Sequence, residues 1–184
     1  MRLRFHFRWV PFIAAALVVF AGALLGNWQL RRAEQKLVLQ QEMLVRAEFV
    51  PIHSNALPPD YVSEEFRRVT AEGEFIPSWT VYLDNRPYQG KAGFYLLMPF
   101  KLSGSEQSVL VLRGWFPRDA LDRERIPEIA VPQGVIRIDG RVRASTGKLM
   151  QLGEATPLKP RGIAQNVDVA EFARASKLSL QNFI

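Results

Sequence analysis

The residues best suited to chemistry are arginines set beside aromatics and glycines: Arg67 and Arg68 after Phe66, Arg86 in "LDNRP", and Arg113 in "LRGWFP". A guanidinium offers a planar fork of donors that matches a carboxylate, and an indole such as that of Trp115 offers a flat apolar plate with one N–H. Together they suit a protein partner or a ligand with acidic tails. The same residues also fit a purely architectural reading. In that reading Gly114 is a bulge, Trp115 a core side chain and Pro117 the end of a strand, with Arg113 facing water on the opposite face.

The residue types that usually catalyse are scarce. The chain of 184 residues has no cysteine, which removes disulfides, thiolate nucleophiles and cysteine zinc sites together. Its two histidines are His6, in a basic N-terminal tail, and His53, close to Pro51. No Gly-x-Ser-x-Gly, His-Glu-x-x-His or Gly-x-Gly-x-x-Gly occurs. "GRVRASTGKL" places six residues between Gly140 and Gly147 where a phosphate loop requires four, with Leu149 where the hydroxyl belongs. Carboxylates lie in turns such as Asp84 or in runs such as Glu64-Glu65. No catalytic residue and no metal site is assigned, and an enzyme is not expected. Net charge is +6, half of it from Arg2, Arg4 and Arg8, and the rest forms no basic face of the kind nucleic acid requires.

Elements must position these arginines, and the first is apolar. Trp9 to Leu30 is a run of 22 uncharged residues, long enough to span a bilayer. A cleaved signal peptide is the competing reading, with Ala21-Gly22-Ala23 as its cleavage pattern. Trp9 and Trp28 lie nineteen residues apart, roughly 28 Å along a helix, which puts an indole at each membrane interface. The helix-forming "WQLRRAEQKLVLQQEMLVRAE" then continues without Gly or Pro to Pro51. We therefore expect residues 1–9 as a cytoplasmic basic tail, 10–30 as a transmembrane helix and 31–50 as an amphipathic juxtamembrane helix. Leu30, Leu37 and Leu44 form its apolar stripe, to be packed on the chain's own domain or on a second membrane helix. Charge on the two flanks does not decide orientation; a span this near the N-terminus, without transit-peptide character, puts the larger part in a bacterial periplasm.

Pro51, Pro58 and Pro59 mark a connection, after which the pattern becomes strand-like. Strands are expected at Phe66–Phe75, Trp79–Leu83, Gly93–Leu102, Ser108–Phe116 and Gly134–Arg143, with a short one at Lys148–Leu152. The glycines of Glu72-Gly73 and Asp139-Gly140 suggest bends that curl the sheet. Asp168 and Glu171 cap a helix ending near Lys177, and "LQNFI" reads as a strand cut short. The predicted fold class is α+β and membrane-anchored. Residues 51–184 form a small curled antiparallel sheet or barrel-like periplasmic domain with one C-terminal helix.

In order and approximate spacing, "LGNWQLRRAEQK", "FRRVTAEGEF", "LDNR", "GFYLLMPF", "LVLRGWFP" and "GRVR" resemble the surfeit locus family of cytochrome c oxidase assembly proteins. The resemblance covers about Leu25 to Ile184. It implies a non-enzymatic inner-membrane factor that assists haem a insertion into the large catalytic subunit of a haem-copper oxidase. Its partners would be that subunit, haem a synthesis proteins and the membrane. Gly26, Trp28, Gln29, Leu30 and Arg31 fall on the family's post-membrane motif, and Arg113, Gly114, Trp115 and Pro117 on its second motif. Trp28, Arg31, Arg86, Arg113 and Trp115 become candidates for partner contact, with Gly26, Gln29, Leu30, Gly73, Gly93, Gly114 and Pro117 as structural motif residues. Three departures stand out: Leu112 replaces the usual Asn, Met98 replaces a Thr, and the family's second membrane helix with its haem-linked His does not appear, as in a truncated C-terminal end. Cofactor binding is accordingly left unassigned, with haem a only as transient cargo. The absence of cysteine argues against copper delivery, since that soft metal prefers thiolates. The alternative is a signal-anchored periplasmic module that binds a ligand or the cell wall.

Overall fold

The computed structural model describes residues 8–58, 61–122, 125–150 and 157–184. Residues 1–7 of the basic tail, Pro59, and Gln151 and Leu152 of the expected short strand lie outside them. The chain divides into two compact units, residues 1–45 and 46–184.

The first unit consists of helix α1, Trp9–Glu48, whose last turn belongs to the second unit. Its sequence lacks Gly and Pro between Gly26 and Pro51, so nothing interrupts the i→i−4 ladder there. α1 buries none of its residues, and one of its 18-residue windows has a mean hydropathy of 2.2. By length and composition it can cross a membrane. The stripe Leu30, Leu37 and Leu44 is exposed throughout.

The second unit is a seven-stranded sheet with one helix. Its strands are β1 (Ile52–His53), β2 (Arg68–Phe75), β3 (Val81–Leu83), β4 (Gly93–Leu102), β5 (Ser108–Pro117), β6 (Ile136–Arg141) and β7 (Ile163–Ala164). β4 is central. It pairs with β5 along one edge, and on the other with β2 at its C-terminal end and β3 at its N-terminal end. β2 in turn pairs with β6. These pairs are antiparallel, as expected, but β1 lies parallel to β2 and β7 parallel to β3, so the sheet is mixed. The two parallel strands have two residues each, too few to show a period of two in the sequence.

Gly73 lets β2 change partners. It lies opposite both Leu102 of β4 and Ile136 of β6, and a β-carbon there would collide with the Lys101 carbonyl. β4 is buried on both faces, which explains why "GFYLLMPFKL" shows no polar alternation. Leu97 faces one cluster, with Val81, Leu83, Leu110 and Phe172 of helix α2 (Val169–Ser176). Phe100 and Leu102 face the other with Ala71, Val109, Val142 and Phe183, and Phe94, Leu96 and Met98 extend that face. Asp168 caps α2 as the sequence suggests, its Oδ1 accepting from the amides of Ala170 (2.9 Å) and Glu171 (3.3 Å), and Lys177 ends it in the left-handed region at φ 59°.

Several expected boundaries move, and the strand expected at Gly134–Arg143 shortens to Ile136–Arg141. Phe66, at φ 70°, sits in a turn and the strand begins at Arg68; Pro77–Trp79 is a 3-10 turn, so the next strand begins at Val81; and Lys148 to Met150 are not in a strand. The C-terminal segment pairs briefly. Leu180 bridges Ser108 in parallel, and Ile184 exchanges both backbone hydrogen bonds with Arg143, at 2.7 and 2.9 Å. The C-terminal segment thus touches both the start of β5 and the chain just after β6.

Candidate partner-contact site

β5 carries the candidate motif, and one irregularity decides its geometry. Gly114 lies opposite Leu96 and Leu112 opposite Leu97, so Arg113 is an extra residue in a bulge. Gly114 adopts φ 157°, which residues with a side chain rarely reach. Residues two apart on a regular strand share a face; the bulge separates Arg113 from Trp115. Trp115 lies opposite Tyr95, on the α2 side of β4, whereas Arg113 reaches Met98 and Phe75 on the other face. A single site built from the Arg113 fork and the Trp115 plate is therefore not formed.

Trp115 instead meets Arg86. Its Nε1 donates to the Arg86 carbonyl at 2.6 Å, its ring lies 5.5 Å from that of Tyr88, and it covers Gly93, where a β-carbon would overlap the indole and the Phe116 carbonyl. The loop between β3 and β4 makes this approach through left-handed residues: Asn85 at φ 57°, then Gln89 at 49° and Gly90 at 76° closing the Tyr88–Lys91 hairpin. The Arg86 Nη2 donates to the carbonyls of Gly147 (2.9 Å) and Gln165 (3.2 Å), and burial pulls this guanidinium below its usual pKa. Those two residues line a cleft of about 540 Å³, together with Lys148, Asn166, Asp168 and Glu171. Arg86 thus ties the Gly147 and Gln165 backbones together beside the cleft.

Arg113 is half-buried. Its Cζ lies 4.4 Å from the centre of the Phe75 ring, Nη2 donates to the Ala130 carbonyl at 3.4 Å, and burial lowers its pKa. No carboxylate among the described residues pairs with it. It is not the freely solvated residue of the architectural reading, yet it retains donor capacity. Pro117 ends β5 as expected.

On α1, Trp28, Arg31, Gln29, Leu30 and Gly26 are all exposed. It is Arg32, four residues on from Trp28, whose guanidinium lies over the indole at 5.7 Å. Two further arginines escaped the sequence reading. Arg118 forms an ion pair with Asp84 and lies 4.9 Å over the Phe94 ring, and Arg46 donates to the carbonyls of Ser63 and Glu65, each at 2.9 Å. The Asp in "LDNR" and the Arg after "GWFP" were the only signals for the first pair. No group of three His, Asp or Glu side chains gathers to hold a metal among the described residues.

An apolar N-terminal helix followed by a mixed sheet with a C-terminal helix defines an α+β class of protein whose candidate residues are arginines and indoles. The comparisons make this specific: the chain belongs to the SURF1 family, whose profile matches residues 15–184. It is 29% identical over 167 residues to a SURF1-like protein of Rickettsia prowazekii, covering 86% of this chain and 62% of that one. It is 28% identical over 113 residues to the cytochrome oxidase assembly protein SHY1 of Saccharomyces cerevisiae, covering 59% of this chain and 29% of that protein. With Surfeit locus protein 1 of Arabidopsis thaliana it shares 32% identity over 117 residues, 55% of this chain and 33% of the relative. The matches thus cover less than two thirds of each of these relatives.

Proposed function

We propose that this chain is a membrane-anchored assembly factor for a haem-copper cytochrome c oxidase, assisting insertion of haem a into the large catalytic subunit from the periplasmic side of a bacterial inner membrane. The family match over residues 15–184 carries the reading, with a relative named as a cytochrome oxidase assembly protein. The site chemistry is consistent with it. Arg113 and the Arg86–Trp115 pair are suited to binding and positioning, and no reaction step is assigned to any residue. Haem a is treated as transient cargo, handled together with the catalytic subunit and haem a synthesis proteins; no resident cofactor is proposed.

The test is deletion of the gene followed by spectroscopy of the membranes. Haem a content and oxidase turnover should fall while other respiratory enzymes persist, and expression of the intact chain should restore them. Normal haem a and oxidase activity in the deletion strain would instead favour an anchored binding module unrelated to oxidase.

A further inference from the structure

The uncharged run of α1 ends at Leu30 and cations follow at once: Arg31, Arg32 and Lys36, against a single acidic residue among them, Glu34. At about 100° per residue, Trp28, Arg32 and Lys36 fall within about 80° of one another, whereas Glu34 lies about 160° from Arg32, on the far side of the helix. Trp28 and the three cations are exposed, and among the described residues no carboxylate pairs with Arg31, Arg32 or Lys36. Arg32 and Lys36 are therefore like charges at i and i+4, about 5 to 6 Å apart at their β-carbons, an arrangement that weakens a helix. One anion held between them turns that repulsion into a binding site.

The position of the pair selects the anion. Side chains on an α-helix lean toward its N-terminus, which here is toward the apolar run. Arg32 does so: its guanidinium lies back over the Trp28 ring, 5.7 Å from the centre. Trp28 closes the segment long and apolar enough to cross a membrane, so this guanidinium returns to the depth of an interfacial indole, and the longer reach of Lys36 follows the same direction. On the same side of the helix, below the pair, lie Leu17, Val18, Ala21 and Leu25, all exposed. Two cations directly above a hydrocarbon surface match a phosphate that carries acyl chains.

We propose that Arg32 and Lys36, with Trp28 beneath them, bind the phosphodiester headgroup of an anionic phospholipid whose chains lie along Leu17, Val18, Ala21 and Leu25. A zwitterionic headgroup brings its own ammonium against the pair and binds less well. The inference rests on α1 being the membrane anchor proposed above and is independent of the oxidase role. Release of the chain from carbonate-washed membranes would remove the anchor and this site with it, whereas a retained chain without lipid preference would remove the site alone.

The experiment is native mass spectrometry of the full chain in non-ionic detergent, titrated with phosphatidylglycerol and with phosphatidylcholine of the same acyl chains. Each cation near an anionic headgroup is worth roughly fivefold in affinity, so phosphatidylglycerol should be preferred about 25-fold. The double variant Arg32→Ala with Lys36→Ala should lose that preference while binding phosphatidylcholine as before. Alanine is the best helix former and both positions are exposed, so the variant keeps its helix. A charge-matched control, Lys91→Ala with Arg174→Ala, changes two exposed cations of the β-domain and should keep the preference. No preference in the intact chain, a preference that survives Arg32→Ala with Lys36→Ala, or an equal loss in the control overturns the proposal. Displacement of phosphatidylglycerol by equimolar inorganic phosphate also overturns it, in favour of a free anion as the occupant.

Discussion

At Trp115 three constraints meet in one side chain: the indole N–H satisfies the Arg86 carbonyl, the ring covers Gly93, and its edge meets Tyr88. Truncation would leave that carbonyl short of a donor and open a gap over β4. Trp115→Ala is expected to cost about 2 to 3 kcal/mol in denaturant unfolding, with the hydrogen bond alone, tested by Trp115→Phe, about 1 kcal/mol of it. Gly93→Ala approaches the same contact from below and should cost about 1 to 3 kcal/mol through overpacking. Arg113 behaves differently. Its stacking on Phe75 is worth roughly 0.5 to 1 kcal/mol, so Arg113→Ala should fold and unfold almost as wild type while haem a content in a complemented deletion strain drops. Wild-type maturation with that variant would make Arg113 a packing residue only. The letters "LRGWFP" left two relations open, a fork and plate acting together or a bulge at Gly114 with Arg113 and Trp115 on opposite faces. The irregularity in β5 bears out the second, except that Arg113 stacks on Phe75 where that reading had it facing water.

Elements were legible in proportion to their length and local chemistry. β4 and β5 are ten residues each and were bounded by glycines, proline or polar turns, so their apolar runs announced them. α2 announced itself through Asp168 and Glu171. Asp168→Ala should cost about 1 kcal/mol by releasing the amides of Ala170 and Glu171, read as a lower unfolding midpoint with an unchanged denaturant slope. If stability is unchanged, α2 is held by Phe172 and Val169 packing alone. β1 and β7 exist only because a neighbouring strand offers an edge, and nothing in two residues states that. The connection from Asp84 to Ala92 was likewise readable as a turn, but its role in bringing Arg86 to Trp115 depends on a contact with β5 more than twenty residues away, which only the tertiary fold supplies.

For the whole molecule, the deciding question is whether α1 stays attached to the β-domain in the mature protein. The sequence allowed both an anchor and a signal peptide cleaved after Ala23, and a helix that continues from Trp9 to Glu48 passes the length test for either. Two features favour retention. The helix runs two dozen residues past the cleavage pattern, and its last turn is engaged by the β-domain, where Arg46 donates to the carbonyls of Ser63 and Glu65 and Phe49 lies 5.9 Å from the Arg67 guanidinium. A signal peptide needs no such continuation, since the signal peptidase would leave a frayed helix start at Leu24 with its amides uncapped. Intact-mass analysis of the protein purified from membranes should therefore show a chain that retains Trp9 through Trp28, and the chain should remain in the membrane pellet after alkaline carbonate washing. A mature N-terminus at Leu24, with the β-domain released into the soluble fraction, would convert the anchored factor into a diffusible one. The exposed stripe of Leu30, Leu37 and Leu44 would then need an aqueous partner, because about 25 cal/mol of apolar transfer free energy per Å² would be left in water along the helix.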